Sequence, residues 1–259
     1  MATPRAIATG HVPGLSVFFP AHDEEANVIA TAEGLVGVLP RIASHWELII
    51  VDDGSRDGTA ALARALARRD ARIRVVTHAE QRGYGAAIRT GLAAARYDLV
   101  CFTDGDRQFD PGDLAHLVAA LRGADVVIGY RRRRADPLAR RLAGAAWTWL
   151  VGTTLGVWVR DVNCAFKLLP RRALAGLVLE SDGAVVSAEL LARLARAGWR
   201  LREVPVAHFP RRAGRASGGS LRVIVRAAGE LVRLRRRLAA APVGAVTCAE
   251  PPAAAESGG

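Results

Sequence analysis

The sequence predicts an α/β domain in which a mostly parallel sheet is covered by helices on both faces. Short apolar runs alternate with Ala-rich segments of helical length from residue 15 to residue 130, and this alternation is typical of βαβ units. An apolar fraction of 51% excludes a disordered chain. A length of 259 residues suits one large domain and exceeds that of a small disulfide-stabilised scaffold.

Each predicted element has a local reason in the sequence. The strands are short apolar runs rich in Val, Ile and Phe, which favour extended backbone, and the helices show apolar residues at three- and four-residue spacing. Asp110, Pro111 and Asp113 predict a helix start, with an N-cap, a proline at the first helical position and an acidic third position. The predicted strands are 15–19, 47–51, 74–77, 99–103, 126–130 and 204–208, and the predicted helices are 26–39, 59–69, 85–95, 111–122, 174–179, 188–197 and 221–238.

The chain divides by composition into four parts. Residues 1–13 and 241–259 have little hydrophobic pattern, and we expect a flexible N-terminal tail and a disordered C-terminal tail. Residues 14–217 form the main domain. Residues 214–220 are rich in Gly and Ser and predict a flexible break. Residues 218–240 then predict a basic amphipathic helix, with arginines around a narrow apolar face.

Three features bear on the compartment. Residues 142–159 carry no charge and approach the length of a membrane span, but their scattered Gly, Thr and Trp favour a helix packed in the domain or lying at an interface. Cys101, Cys164 and Cys248 form no CxxC pair, which indicates a reducing compartment and argues against structural zinc. The first fourteen residues lack the apolar core of a signal peptide. We therefore expect a cytoplasmic protein.

The formal net charge of +11 suggests an anionic partner. Lys167 is the only lysine, so arginine supplies nearly all of the positive charge. A nucleic-acid-binding surface would interleave aromatic residues with cations, whereas the run from Arg131 to Arg134 contains none. The acidic segments described next would repel nucleic-acid phosphates. We therefore expect no nucleic-acid partner, which leaves a phosphorylated substrate or a membrane surface.

Polar segments follow four successive predicted strands, at residues 20–25, 52–58, 81–85 and 104–110, and all but the third carry carboxylates. Ligands of open α/β sheets bind beyond the carboxyl ends of the strands, so these segments are expected to meet at one edge. Turns alone favour Asp and Gly. Seven or more carboxylates at one edge repel one another, however, unless a cation lies among them.

Asp104 and Asp106 are the best candidates for holding that cation. They are two residues apart where a strand ends, so both side chains can turn to one side, and Gln108 adds a carbonyl oxygen. Hard oxygen ligands suit Mg²⁺ or Mn²⁺, with substrate phosphates completing the coordination. A calcium loop of the EF-hand type is excluded because Phe109 stands where glycine is needed. Neither a dinucleotide-binding nor a P-loop glycine pattern occurs.

Six segments resemble, in order, the motifs of family-2 inverting glycosyltransferases. They are Pro20–Glu24, Val51–Thr59, Arg82–Ala87, Thr103–Gln108, Asp161–Lys167 and Glu203–Gly214. The resemblance is strongest to polyprenol-phosphate (dolichol-phosphate) mannosyl- and glucosyltransferases and covers about residues 14–217. It implies a GT-A fold, a nucleotide-sugar donor of the GDP-mannose or UDP-glucose type, Mg²⁺ or Mn²⁺, and inverting transfer of a hexose to a polyprenyl phosphate.

The resemblance also implies site residues. Donor-binding positions are Pro20, His22, Glu24, Asp52, Asp53, Gly83, Asp104 and Arg131. Metal-binding positions are Asp104, Asp106 and Gln108, and catalytic positions are Asp104, Asp106, Lys167 and Arg211. The acceptor phosphate is expected at Arg131, Arg141 and Arg211. The chain departs from the family pattern at His22 and Asp23, where Tyr and Asn are usual, and at Ser217, where Lys is usual.

The acceptor decides the chemistry that we expect. A phosphate monoester has a second pKa of about 6 and attacks as an anion, so no general base is needed. Lys167 and Arg211 are then expected to act through their charge and not on folding. The alternative is a family-2 enzyme that acts on a saccharide or another hydroxyl acceptor in cell-envelope glycan synthesis, for which Asp161 is the candidate base.

Two side chains and one helix each allow a second interpretation. Arg131 is equally read as part of a solvated charge run, and Glu189 as a core ion pair. For the helix at 218–240 we expect peripheral contact with the inner face of the cell membrane, alone or with a membrane-anchoring partner protein. The second interpretation is that this helix packs on the main domain.

Overall fold

The computed structural model describes residues 11–121, 125–132, 138–211 and 221–240. In this part of the chain one sheet contains the strands β1 (Val12–Ala21), β2 (Ala43–Asp52), β3 (Ile73–Thr77), β4 (Leu99–Phe102), β5 (Val126–Arg131), β6 (Lys167–Pro170) and β7 (Leu201–Val206). The helices are α1 (Val28–Val38), α2 (Thr59–Arg69), α3 (Tyr84–Ala94), α4 (Asp113–Ala120), α5 (Leu138–Leu155), α6 (Val185–Arg196) and α7 (Leu221–Ala240).

The strand order is β3-β2-β1-β4-β6-β5-β7. All neighbouring pairs are parallel except those of β6, which runs antiparallel to both β4 and β5. Lys167, the first residue of β6, pairs with Phe102 near the end of β4 and with Ile128 in β5. The carboxyl ends of the parallel strands and the start of β6 therefore lie along one edge, where a ligand site of an open α/β sheet belongs.

Helices cover both faces of the sheet, as predicted. Because side chains alternate along a strand, Val17 and Phe19 of β1 face one apolar cluster and Phe18 faces the other. The first cluster is completed by residues of α1, α2 and α4, and the second by residues of α3, α5, α6 and α7. The predicted α/β class, with a mostly parallel sheet, is confirmed.

Several predicted elements are corrected by the structure. β1 begins at Val12, inside the predicted tail of residues 1–13. Helix α4 begins at Asp113, so Asp110 and Pro111 form the turn before the helix instead of its first residues. The predicted helix at 174–179 is wrong, because a short 3-10 turn ends at Leu174 and irregular chain follows it. The strand β6 was not predicted.

Helix α7 packs on the domain. Leu231, Leu234 and Leu238 recur every three or four residues, and all three are buried in the second apolar cluster. The helix contacts both α5 and α6. The expected role of this helix as the membrane contact is therefore replaced by packing on the main domain, because these leucines of its apolar face are already covered.

Some predictions lie outside the described residues. These are most of the N-terminal tail, the break at 214–220 and the tail at 241–259. Among the helices that the structure describes, none is long and apolar enough to cross a membrane.

Candidate active site

The carboxylates Asp104 and Asp106 lie in the loop that follows β4. The turn depends on Arg107, whose φ of 61° is unusual for a residue with a side chain. Gly105 passes close to the first acidic loop, and a Cβ placed there would lie 2.8 Å from the carbonyl oxygen of Pro20. The Asp104 loop and the loop that begins at Pro20 are thus held in contact, as their places at one sheet edge predicted.

Burial and charge repulsion act strongly on Asp104. Removal of this carboxyl group from water, together with the neighbouring charge of Asp106, raises its pKa to about 7. The Tyr84 hydroxyl donates a 3.1 Å hydrogen bond to Asp104 Oδ1 and partly offsets this rise. Tyr84, at the start of α3, was not among the predicted site residues. A half-buried carboxylate with a neighbour of like charge attracts a cation.

Arg211 supplies a cation to this pair. Its Nη2 donates to Asp106 Oδ2 at 2.8 Å, and its Nη1 lies 3.4 Å from Glu24 Oε1. Burial raises the pKa of Glu24, and hydrogen bonding from Asn27 and the charge of Arg211 oppose that rise. Asp106, Glu24 and Arg211 were all predicted as site residues. The structure brings them together in one ion-pair cluster.

Gln108 holds the segment that carries Arg211. Its Nε2 donates to the Phe209 carbonyl at 3.0 Å, and the Phe209 N–H donates to the Gln108 carbonyl at 2.8 Å. The next residue, Phe109, forms an isolated bridge with His208. Beside the metal contact predicted for it, Gln108 therefore has a positioning role that its sequence position did not indicate.

Arg131 is not part of a solvated charge run. Its Nε and Nη2 donate to both carboxylate oxygens of Asp161, at 2.6 and 2.8 Å, in a largely buried bidentate pair. The positive charge of Arg131 lowers the pKa of Asp104. Both carboxylate oxygens of Asp161, the candidate base for a hydroxyl acceptor, therefore already accept hydrogen bonds from this arginine.

Lys167 is buried beneath the site. Its Nζ donates to the carbonyls of Val162 and Cys164 and lies 5.5 Å from the centre of the Phe102 ring. Burial lowers the pKa of Lys167. The ammonium group thus fixes the turn that begins at Asp161. Its expected action through charge alone is corrected, because it also satisfies buried carbonyl groups.

The two aspartates after β2 differ in their surroundings. Asp53 accepts hydrogen bonds from the N–H groups of Arg82 and Gly83, at 2.9 and 2.8 Å, and forms a 2.7 Å pair with His78. It holds the glycine-rich loop, in which Gly83 has a φ of 95°. Asp52 Oδ1 accepts from the Ser55 N–H, whereas the buried Asp52 Oδ2 has no hydrogen-bond partner among the described residues.

Three further residues from the sequence analysis are His22, Arg141 and Glu189. His22 Nδ1 donates to the Asp53 carbonyl at 2.8 Å, which fixes the loop that begins at Pro20. Arg141 is exposed on α5. Glu189 is buried and pairs with Arg193 at 2.9 Å, so of its two interpretations the core ion pair holds.

A cavity of about 290 Å³ adjoins Asp104. It is lined by residues of α1, of the loop after β4, and by Phe166 and Phe209. Among the described residues no group of three or more His, Cys, Asp or Glu side chains is arranged to hold a metal ion. Asp104 and Asp106 provide two carboxylates, which fit Mg²⁺ or Mn²⁺ bound together with substrate phosphates better than a permanently held ion.

These features define a glycosyltransferase with a GT-A fold. The chain belongs to glycosyl transferase family 2, whose model matches residues 16–158. Glucosyl-3-phosphoglycerate synthase of Mycobacterium tuberculosis in complex with UDP has a similar fold, with a TM-score of 0.67 at 23% identity, covering 89% of this chain and 81% of that one. The same enzyme has been solved with Mn²⁺ and with Mg²⁺ beside UDP.

Relatives in sequence include enzymes named for polyprenyl phosphates. An uncharacterized glycosyltransferase of Mycobacterium tuberculosis is 35% identical over 80% of this chain and 91% of its own length. Undecaprenyl-phosphate 4-deoxy-4-formamido-L-arabinose transferase of Aeromonas hydrophila is 30% identical over 81% of this chain and 64% of its own. Dodecaprenyl-phosphate galacturonate synthase of Rhizobium johnstonii is 34% identical over 60% of this chain and 47% of its own.

Proposed function

We propose that this chain transfers a hexose, with inversion, from a nucleotide sugar of the GDP-mannose or UDP-glucose type to a polyprenyl phosphate. The observation that carries the proposal is the ion pair of Arg211 with Asp106, two residues from Asp104, whose pKa is also lowered by the charge of Arg131. Carboxylates suit a cation-bound diphosphate, and arginines suit a phosphate. Relatives named for undecaprenyl and dodecaprenyl phosphate support this acceptor class.

The donor is assigned to the edge formed by β1, β2 and α3. Asp52 Oδ2, a buried acceptor without a partner in the described residues, is the candidate contact for N–H or O–H groups of the nucleoside. Pro20, His22, Glu24 and Gly83 line this edge in the roles that the family resemblance gives them. Asp53 acts indirectly, because its oxygens hold the loop at Gly83.

The chemistry follows from the acceptor. An oxygen of the lipid phosphate forms a bond to the anomeric carbon, and the bond from that carbon to the diphosphate oxygen breaks, which releases a nucleoside diphosphate. No base is required, since the acceptor is already an anion. Asp161 is engaged by Arg131, and this pairing favours the phosphate over a hydroxyl acceptor. Arg131, Arg211 and Arg141 are the candidate contacts of the acceptor phosphate.

The residues that would hold Mg²⁺ or Mn²⁺ are Asp104 and Asp106, with Gln108 as a further contact. When bound, the cation neutralises charge on the departing diphosphate. The chain's own part is to orient both phosphates and to keep them apart from solvent. The cavity beside Asp104 offers space at the point where the two substrates meet.

A stripe on α5 supports a membrane-bound acceptor. Leu138, Leu142 and Trp149 lie on one side of the helix at four- and seven-residue spacing, and each is more than 60% exposed. Trp158, beyond the end of the helix, is 65% exposed. Arg141 stands beside the stripe. Exposed indole rings with neighbouring cations are typical of contact with anionic headgroups, and the use of a nucleotide sugar favours the cytoplasmic face for this contact.

The test is a panel of nucleotide sugars offered with polyprenyl phosphate and Mn²⁺ or Mg²⁺, with radiolabelled lipid as the measured product. We expect product from one donor, and its loss in chelator. A matched assay replaces the lipid phosphate with the corresponding polyprenol. Product from the polyprenol or from a saccharide, and none from the phosphate, would contradict the proposal and favour the hydroxyl-acceptor alternative.

A further inference from the structure

Arg211 occupies the position of a cation at the acidic pair. Its guanidinium bridges Asp106 at 2.8 Å and Glu24 at 3.4 Å. All three side chains are largely buried, with exposed fractions of 25% for Arg211, 9% for Asp106 and 13% for Glu24. Charge-assisted contacts in such a setting are weakly screened by solvent. An ion that binds Asp106 therefore has to compete with Arg211.

The main chain beside Arg211 is fixed independently of that contact. Gln108 and Phe209 are joined by two hydrogen bonds, and Phe109 forms a bridge with His208. The loop that carries Asp106 therefore also holds the segment of Arg211, and it keeps the guanidinium beside the Asp106 carboxylate. Because these ties do not involve the Arg211 side chain, its guanidinium can leave Asp106 while Phe209 and His208 stay in place.

We propose that Arg211 is an internal substitute for the divalent cation, and that it leaves Asp106 when the ion binds there. A divalent cation at Asp106 repels the guanidinium and takes the oxygen that accepts its hydrogen bond. Glu24 retains one arm of Arg211, so the guanidinium turns about this contact. The inference deepens the proposed function, because the arginine released from Asp106 becomes a binding group for the acceptor phosphate only after the metal-bound donor is present.

The exchange gives the order in which the substrates bind. While Arg211 is paired with Asp106, its charge is neutralised and attracts a phosphate only weakly. Metal binding releases the Nη2 group of the same side chain from Asp106, so that this group can donate to a phosphate. The free energy that couples the two sites is reciprocal, so the acceptor phosphate in turn favours the metal-bound state.

The first test measures Mn²⁺ alone on the full chain, from the loss of the electron paramagnetic resonance signal of the free ion. In Arg211→Met the competing charge is absent, and we expect Mn²⁺ affinity to rise about tenfold, which corresponds to ~1.4 kcal/mol. Arg211→Lys keeps the charge and should remain close to the parent. Arg107→Met is the matched control, because Arg107 follows Asp106 and lines the adjoining cavity. Unchanged or weaker binding by Arg211→Met overturns the inference, as does an equal gain in Arg107→Met.

A second measurement uses the unaltered chain and does not depend on whether the variants fold. Phenylglyoxal modifies free guanidinium groups, and peptide mass spectrometry reports the rate at Arg211. We expect a faster rate with Mn²⁺ than in chelator, and an equal or slower rate overturns the inference. Both tests omit sugar and lipid. A chain that passes them but transfers no sugar to polyprenyl phosphate contradicts the proposed function and leaves the exchange standing.

Discussion

The ionised carboxylate of Asp104 suits cation binding but lowers the stability of the folded, metal-free chain. The pKa of this carboxyl group is about 7 in the folded state, compared with 3.8 for the unperturbed group. The folded state therefore holds the proton more tightly than the unfolded state, and the free energy of unfolding falls as the pH rises from 4 to 7. Above pH 7 Asp104 is ionised in the folded state as well, and the free energy of unfolding is reduced by the full amount.

Asp104→Asn is expected to stabilise the metal-free protein and to abolish transfer. The amide keeps the shape of the side chain and removes the buried charge, so in chelator at pH 8 we expect a gain of about 1–3 kcal/mol in the free energy of unfolding. Thermal unfolding at pH 8 and pH 5 measures this gain. The gain should shrink at pH 5, where the parent carboxyl is protonated, and an equal gain at both pH values would contradict the explanation. Activity in Asp104→Asn would exclude the residue from catalysis.

Lys167→Met tests whether the only lysine acts on the fold as well as on the reaction. The variant leaves the carbonyls of Val162 and Cys164 without their buried donor, and each lost contact costs about 1–3 kcal/mol. We expect a lower melting temperature and at least a tenfold fall in turnover. Arg82→Met, which removes an exposed cation near the same edge, serves as the control for melting temperature. If Lys167→Met has the stability of the parent, Lys167 acts through its charge alone, as the sequence predicted.

Helix α5 can be tested as a unit through its exposed stripe. Replacement of Leu142 and Trp149 with Ser removes two large apolar side chains that are 61% and 63% exposed, so we expect little change in stability and a loss of flotation with anionic liposomes. Val232→Ser, at a position 49% exposed on α7, is the matched control. Equal flotation of all three proteins would remove the stripe from membrane binding. Flotation lost at high salt alone would assign the contact to arginines.

The elements show which parts of the fold can be predicted from local sequence. Parallel strands followed by helices repeat one pattern, and the predicted helix at 59–69 coincides with α2. β6 was missed because Lys167–Pro170 is four residues long and contains a charge, and only its partners on both sides make it a strand. The apolar residues at 174–179 suit a helix by composition, but only their first residue lies in a regular turn.

The same limit applies to the candidate site. Motif order predicted that the loops of Asp52, Asp104 and Asp106 meet at one edge, because they follow parallel strands, and the family resemblance added Arg211. It gave no indication of the pairing of His78 with Asp53, which joins residues 25 positions apart. Nor did it separate Asp52 from Asp53, since adjacent residues of one type acquire different roles only through their neighbours in space.

At the scale of the whole molecule, α7 completes the second apolar cluster. Removal of residues 221–259 would expose the surface that Leu231, Leu234 and Leu238 cover, and burial of three leucines contributes about 4–9 kcal/mol before the ordering of the helix is counted. We expect a lower melting temperature, measured by thermal unfolding. Removal of residues 241–259 alone is the control and should leave the melting temperature near that of the parent. Equal melting temperatures for both truncations would mean that α7 is not needed for the fold.

The place of β6 in the sheet has a consequence for how the protein is synthesised on the ribosome. β3, β2, β1 and β4 are neighbours, and all of their residues have been synthesised once Phe102 has been added. β5 cannot join them at that stage, because β6 lies between it and β4 and comes later in the chain. Until Pro170 emerges, the nascent chain therefore carries β4 as an open edge that invites pairing with other chains. Asp104 and Asp106 are synthesised before Asp161, which holds Arg131, and before Arg211. The carboxylates of the candidate site are therefore present in the growing polypeptide before its paired arginines.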